Sequence, residues 1–232
     1  VLIPILGSFI VRIVRAAGEQ NNRKSMQKLG DILFTGLVSV TFVCSLIAGI
    51  LALRNGSMEL SIPEICGFGI NFTMNGFRAI YVMIASFAWL VSGFFAVWYL
   101  KGEEHQGRYA FYTLITLGAT LAVFLSADLY TTFIFFEMMS LASYVWVVHE
   151  EDEESLRAGN TYLAVAVIGG LVMLMGIFIL YVKQGTVSYQ ALLQLNRQLF
   201  PDSGVYTTQT GGALLAATLC LLFGFVAKAG AF

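Results

Sequence analysis

The sequence predicts an all-α polytopic membrane protein with about seven transmembrane helices. Three observations carry that prediction. The 232 residues are 58% hydrophobic and 12% charged, against about 45–50% and about 25% in soluble domains. Charge-free stretches recur at lengths near the roughly 20 residues that a membrane helix needs. Those stretches are apolar on every side rather than at alternate positions, so helices are expected and not the strands of a membrane barrel. The lipid bilayer is therefore the expected surrounding. A net charge of −1 offers nothing to nucleic acid, and no nucleic-acid partner is expected.

The elements follow in order. The opening VLIPILGSFIV has neither the basic start nor the small-residue cleavage site of a signal peptide, and it reads as a clipped first helix over Val1–Val11. The next windows are Ile32–Leu53, Ala79–Leu100, Tyr109–Ala127, Leu129–Val148, Thr161–Val182 and Gly211–Ala227. Between the second and third, SIPEICGFGINFTMNG predicts a loop or a short surface hairpin. The fourth and fifth are separated by SADLYTT alone, a tight turn whose Asp128 is placed to cap the fifth helix. After the sixth, VSYQALLQL predicts a short amphipathic helix and FPDSG a break. The absence of an initiator Met and the abrupt apolar ends suggest a fragment.

Lys and Arg in the connections set the orientation. The first connection carries Arg12, Arg15, Arg23, Lys24 and Lys28 and outweighs the others. Residues 12–31 are thus expected in the cytoplasm and the amino terminus outside. The fifth connection, HEEDEESLRAGN, is acidic and is expected to be a solvated cytoplasmic turn.

Two charges interrupt the apolar windows, Glu137 and Lys228. A lysine at a helix centre costs roughly 2.5–3.5 kcal/mol on insertion scales. The eight Leu, Phe and Val residues between Leu214 and Val226 return roughly 2.4–4.8 kcal/mol. The last helix is thus near balance, and its lysine is expected to face protein or water. Glu137 has two readings. It is a protonated packing acid bonded to Ser140 or Tyr144, which share its helix face, or it belongs to an ion path, as charges inside the membrane do by default. Lys228 likewise either snorkels to an interface or joins that path. By length along its helix, Glu137 lies near mid-membrane and Lys228 nearer the cytoplasmic side. An acid and a base held together in low dielectric stabilise each other's charged form and titrate as a unit. Separating them favours release of a proton, which makes the pair a switchable proton-holding site.

Other residues carry weaker signals. His105 and His149 fall at helix ends and read as solvated interface residues, and Gly169, Gly170 and Gly176 as helix-packing positions. Cys44, Cys66 and Cys220 form no CxxC pair. No metal-ligand spacing, phosphate loop or Ser-His-Asp set is present, so no metal and no cofactor is expected in this chain.

The stretches RYAFYTLITLGATLAVFLSADLYTTFIFFEMMSLASYV and FGFVAKAG resemble the antiporter-like subunits of respiratory complex I, of Mrp-type antiporters and of membrane-bound hydrogenases. The resemblance covers residues 109–232 well and the first hundred in helix count alone. It implies a fourteen-helix, inverted-repeat subunit of which this is the amino-terminal part: helices one to three over residues 1–108, and a proton-translocating domain of helices four to seven over 109–232. It implies that Glu137 and Lys228 are the translocation residues, that the seventh helix breaks just after the lysine, and that other membrane subunits are partners. Many relatives carry a lysine where NTYL here offers Thr161. The expected function is proton, or sodium/proton, translocation by a non-catalytic pumping subunit of an NADH dehydrogenase-like or hydrogenase complex in a prokaryotic inner membrane. An Mrp-type sodium/proton antiporter without redox partners is the alternative, and FFEMMSLASYV, with no Trp before its glutamate, leans toward the antiporter and hydrogenase branches. A scaffold with no ion path is the reading from another class.

Overall fold

The computed structural model describes residues 1–20, 24–63, 68–101, 105–199 and 211–229. The order is α1 (Leu2–Gln20), α2 (Lys24–Asn55), β1 (Met58–Ile62), β2 (Ile70–Met74), α3 (Gly76–Tyr99), α4 (Gln106–Leu125), α5 (Leu129–Val147), α6 (Glu153–Gln184), α7 (Tyr189–Leu199) and α8 (Gly211–Lys228). Among the described residues, five helices are long and apolar enough to cross a membrane: α2, α3, α4, α6 and α8. The 19-residue α1 and α5 pack among them. Arg12 and Arg15 in α1, and Glu137 amid Thr and Ser in α5, lower their apolar content. The seven expected windows all fall on helices, and VSYQALLQL gives the short α7.

Two boundaries move. The expected first loop is mostly helix, because α1 runs to Gln20 and α2 begins at Lys24. Nothing in RIVRAAGEQ stops a helix except a tolerated Gly18, so an apolar count ends too early there. Arg12, Arg15 and Lys28 therefore stand on helices, while Arg23, Cys66 and FPDSG lie outside the described residues. The acidic connection shrinks in the same way. Asp152 caps α6 by accepting from Ser155 N–H, and Glu153 and Glu154 occupy the first turn, where carboxylates suit the helix dipole.

Two faces organise the connections. On one, β1 and β2 form an antiparallel hairpin with Met58 opposite Met74 and Ile62 opposite Ile70. Asp128 caps α5 as expected, accepting from Thr131 N–H at 2.6 Å. The turn it sits in is bonded on both flanks: Ala127 N–H donates to Asn71 O at 2.8 Å, and Leu129 N–H to Val187 O at 3.1 Å. This is the hairpin face. The other, the acidic-loop face, carries the α3–α4 and α5–α6 connections, where Arg108 pairs with Glu151.

The helices divide into two packed groups. Val11, Phe34, Val38, Ala79, Leu114 and Leu117 are buried together between α1, α2, α3 and α4. Leu129, Met173, Ile177 and Val187 form a second core against α5, α6 and α8. The first group's α4 also packs on α5. It is rich in small and hydroxyl residues, which allow close approach. Thr113, Thr116 and Thr120 each donate back to a carbonyl one turn earlier at 2.8 Å, which satisfies hydroxyls that lipid cannot.

Candidate functional site at the Glu137–Lys228 pair

The second group is held at unusually close range. A Cβ added to Gly224 of α8 would lie 2.5 Å from Met173 Cβ and 2.8 Å from Gly169 O, and one added to Gly176 would lie 2.9 Å from Ala217 O. Glycine and alanine are therefore what let α6 and α8 touch backbone to backbone. Gly169 and Gly176 face α8, as their reading as packing positions implies. Gly170 faces the other way. A Cβ there would fall 2.1 Å from Glu137 Oε1, so this glycine is the floor on which the carboxylate rests and not a packing position alone.

That arrangement brings Glu137 and Lys228 together. Lys228 Nζ stands 2.5 Å from Glu137 Oε1, with the lysine side chain 2% and the glutamate 22% exposed. The contact places both at one depth, so Lys228 is not displaced toward the acidic-loop face as its position along the sequence suggests. The reason is geometric: α8 starts level with the hairpin-face end of the long α6 it lies against, and its full length, about 27 Å, brings Lys228 down to the middle of α5.

The neighbours of the ammonium are few and specific. It donates to Ser140 Oγ at 3.0 Å, and Ser140 donates to Phe136 O at 2.9 Å. Its Nζ lies 5.5 Å from the centre of the Phe136 ring, within cation–π range. The lysine thus has a carboxylate, a hydroxyl and an aromatic face, which together replace part of its hydration.

Of the supporting residues read from the sequence, Ser140 is in direct contact and Thr161 borders the site. Thr161 lines a cavity of about 190 Å³ with Ser140, Tyr162, Ala166 and Lys228. Its own hydroxyl donates to Arg157 O at 3.1 Å. Tyr144 does not bond to Glu137 and packs its ring over Gly159 instead. Being seven residues on, it sits two turns nearer the acidic-loop face, a separation that a shared helix face conceals. The sequence reading missed Tyr162, which shares a 2.6 Å hydrogen bond with Ser143 and reaches Ser140 O at 3.4 Å. Its hydroxyl beside Thr161 in NTYL was the available signal. Phe136 and Gly170 were also missed as site residues.

The remaining candidates lie elsewhere. His105 opens α4 in the left-handed region with φ 62°, and the His149 ring meets that of Tyr109 edge-on at 5.8 Å. The hydrogen bond from Arg108 holds the Glu151 carboxyl below its usual range, and Ser155 does the same for Asp152. Cys44 and Cys220 are free thiols. Among the described residues, no group of three or more His, Cys, Asp or Glu is placed to hold a metal.

Comparison with known proteins shows what the chain that carries this site is similar to. Residues 126–232 match the sequence profile of the family described as NADH:quinone oxidoreductase/Mrp antiporter, TM. The antiporter subunit designated mnhD2 of Staphylococcus haemolyticus is 30% identical over 84% of this chain and 39% of its own length. Its namesake in Staphylococcus aureus strain MRSA252 is 28% identical over 98% of this chain and 43% of its own. The chain thus spans about two fifths of the curated relatives it matches. Two solved folds superpose on 97% of it. One is a chain of the membrane-bound sulfane sulfur reductase, an archaeal respiratory membrane complex, with a TM-score of 0.73, 22% identity and 32% of that chain covered. The other is a chain of the Mrp complex from Dietzia sp. DQ12-45-1b, with a TM-score of 0.71, 18% identity and 39% covered. Residues 126–232 are thus similar to the transmembrane module of the NADH:quinone oxidoreductase/Mrp antiporter family, and the chain as a whole is similar in sequence to antiporter subunits and shares the fold of the two solved chains.

Proposed function

We propose that the chain moves protons, or cations against protons, across the membrane by making and breaking the Glu137–Lys228 pair. The observation that carries this reading is the 2.5 Å contact of a 2% exposed lysine with a carboxylate between helices of a membrane bundle. Paired, both charges are stabilised. Parted, the ammonium loses its carboxylate partner and is free to hand its proton to a neighbouring water. Ser140 and the Phe136 ring hold the ammonium in place while the pair is closed. The cavity that Ser140, Thr161, Tyr162 and Lys228 border is roomy enough for water, and in this reading it is the route by which a proton reaches or leaves the lysine.

The family match and the antiporter-subunit relatives support this reading. Sodium as the exchanged cation, and other membrane subunits as partners, belong to the same proposal. We place the protein in a prokaryotic inner membrane with residues 12–31 cytoplasmic, as the Lys and Arg bias implies. Cysteines at Ser57 and Glu150 should then label from outside and inside respectively, and labelling of both from one side would sink the orientation.

The test of function uses the full-length subunit in its complex, reconstituted in vesicles. Glu137→Gln keeps size and hydrogen bonding but removes the charge. Driven proton movement should fall to background while the complex stays assembled; normal pumping would leave a scaffold role standing. Isolation with or without redox subunits, and drive by electron transfer or by a sodium gradient, separates a respiratory complex from an Mrp-type antiporter.

A further inference from the structure

Two cavities lie along α5, one on each side of the lysine. Toward the acidic-loop face is the cavity of about 190 Å³ at Ser140, Thr161 and Tyr162. Toward the hairpin face is a second, of about 240 Å³, walled by Arg78, Ser126, Thr132, Tyr189 and Phe225. Its polar wall is already organised. Ser126 Oγ and Thr132 Oγ1 are 2.6 Å apart, and Thr132 Oγ1 and Tyr189 OH are 2.7 Å apart. Arg78 Nη1 donates to Thr73 O at 3.2 Å, and its guanidinium lies 5.8 Å from the centre of the Tyr189 ring.

Thr132, Phe136 and Ser140 follow one another at four-residue intervals and share one face of α5. The first belongs to the hairpin-face cavity and the last to the lysine site. Between them, Phe136 meets Phe225 of α8, with ring centres 5.9 Å apart. Phe225 itself forms part of the hairpin-face wall, and Phe136 faces the ammonium. Two aromatic rings therefore stand between the hydroxyl cluster of Ser126, Thr132 and Tyr189 and a buried lysine.

We infer that the Phe136–Phe225 ring pair is a barrier that shuts Lys228 off from the hairpin-face cavity, so that the lysine exchanges protons with the acidic-loop side until the rings part. A constriction lined by apolar rings sheds water, and without a water chain a proton has no path. The barrier rests on the proton-translocation reading for its use, though its existence is a matter of access alone.

The experiment uses the full-length subunit in vesicles, with its native cysteines replaced and a small charged methanethiosulfonate applied from either face. Thr161→Cys should react from the acidic-loop face and Thr132→Cys from the hairpin face. Adding Phe136→Ala with Phe225→Ala should open Thr161→Cys to the hairpin-face reagent and raise passive proton leak, each by about tenfold or more, whereas Phe225→Leu, still apolar and bulky, should change neither. Reaction of Thr161→Cys from both faces with the rings intact overturns the barrier, and this arm needs no ring variant to fold. Unchanged access in an assembled alanine variant overturns it too. Absence of driven pumping by the protein with its rings and its Glu137–Lys228 pair unaltered, with sidedness intact, would instead count against the proposed function and leave the barrier in place.

Discussion

Among the described residues, two ion pairs join one helix to another, and their cations differ in what they are able to do. In the first group, Arg15 of α1 meets Asp31 of α2 at 2.6 Å and donates to Gln106 of α4 at 3.3 Å. In the second, Lys228 of α8 meets Glu137 of α5. Both cations are nearly buried, at 7% and 2% exposure, and both acids are partly open, at 34% and 22%. The guanidinium keeps its proton at any accessible pH, and its planar fork fixes its partners in place. The ammonium is a point charge on a flexible stem that can lose its proton when stranded. Under the proposed function, the same burial therefore makes a clamp of one pair and a switch of the other.

The largest effect that would break this comparison comes from neutralising one member of the second pair. Glu137→Gln or Lys228→Met leaves one buried charge alone, which costs about 3–5 kcal/mol, while replacing both is near neutral. Thermal melting of the full-length complex should show the double variant recovering most of the stability that each single variant loses, with transport still absent. Strictly additive losses would mean that the contact carries no coupling.

Exchanging the cations sharpens the contrast. Lys228→Arg keeps the charge but removes the ability to release a proton, so the protein should assemble and fail to pump. Arg15→Lys loses the fork and should cost roughly 1 kcal/mol, the size of a hydrogen bond, with pumping intact. Vesicle assays in which both variants behave alike would erase the distinction between clamp and switch.

Gly170→Ala is expected to have a smaller effect. Its methyl would meet the Glu137 carboxylate, and overpacking costs about 1–3 kcal/mol. Because a side chain gives way more easily than backbone, the carboxylate should shift and transport slow more than stability falls. Gly176→Ala meets Ala217 O, a backbone atom, and should show the reverse. Equal ratios of transport to stability in the two variants would deny Gly170 its part in the site.

The smallest effect lies at the surface. Glu151 is held below the ordinary carboxylate value of 4.5 by Arg108. A depressed carboxylate adds stability above its unfolded value and loses it as pH falls through the folded one. The window therefore lies below about pH 4.5, and the gain is slight because the pair is open to solvent. Glu151→Gln should remove a shallow acid limb from melting curves and leave transport unchanged.

Much of this was legible in the sequence, for identifiable reasons. Apolar windows located every long helix because lipid demands it of the composition. Asp128 announced its cap because it stands directly before the first residue of α5, where a carboxylate accepts from the open amides of the first turn. Glu137 and Lys228 stood out because charge is rare in such windows. What the sequence withheld was depth. Whether Lys228 meets Glu137 depends on where α8 starts against α6, and that is set by tertiary contact. The role of Gly170 was hidden for the same cause, since a glycine declares closeness without saying to what. The ends of α1 and α6 were missed because charged residues extend helices as readily as apolar ones once outside the bilayer.

The turn at Asp128 has a mechanical consequence. Stitched to Asn71 on one side and to Val187 and Tyr189 on the other, it is a fulcrum for α5. Glu137 stands eight residues beyond Leu129, about 12 Å along the helix axis. On a lever of that length, a tilt of about ten degrees carries the carboxylate roughly 2 Å, enough to open its contact with Lys228. The opposite end of α5, at Val147, has more than twice that throw. A small push on the acidic-loop end of α5 would thus be converted at mid-helix into the opening or closing of a salt bridge, with the hairpin face still.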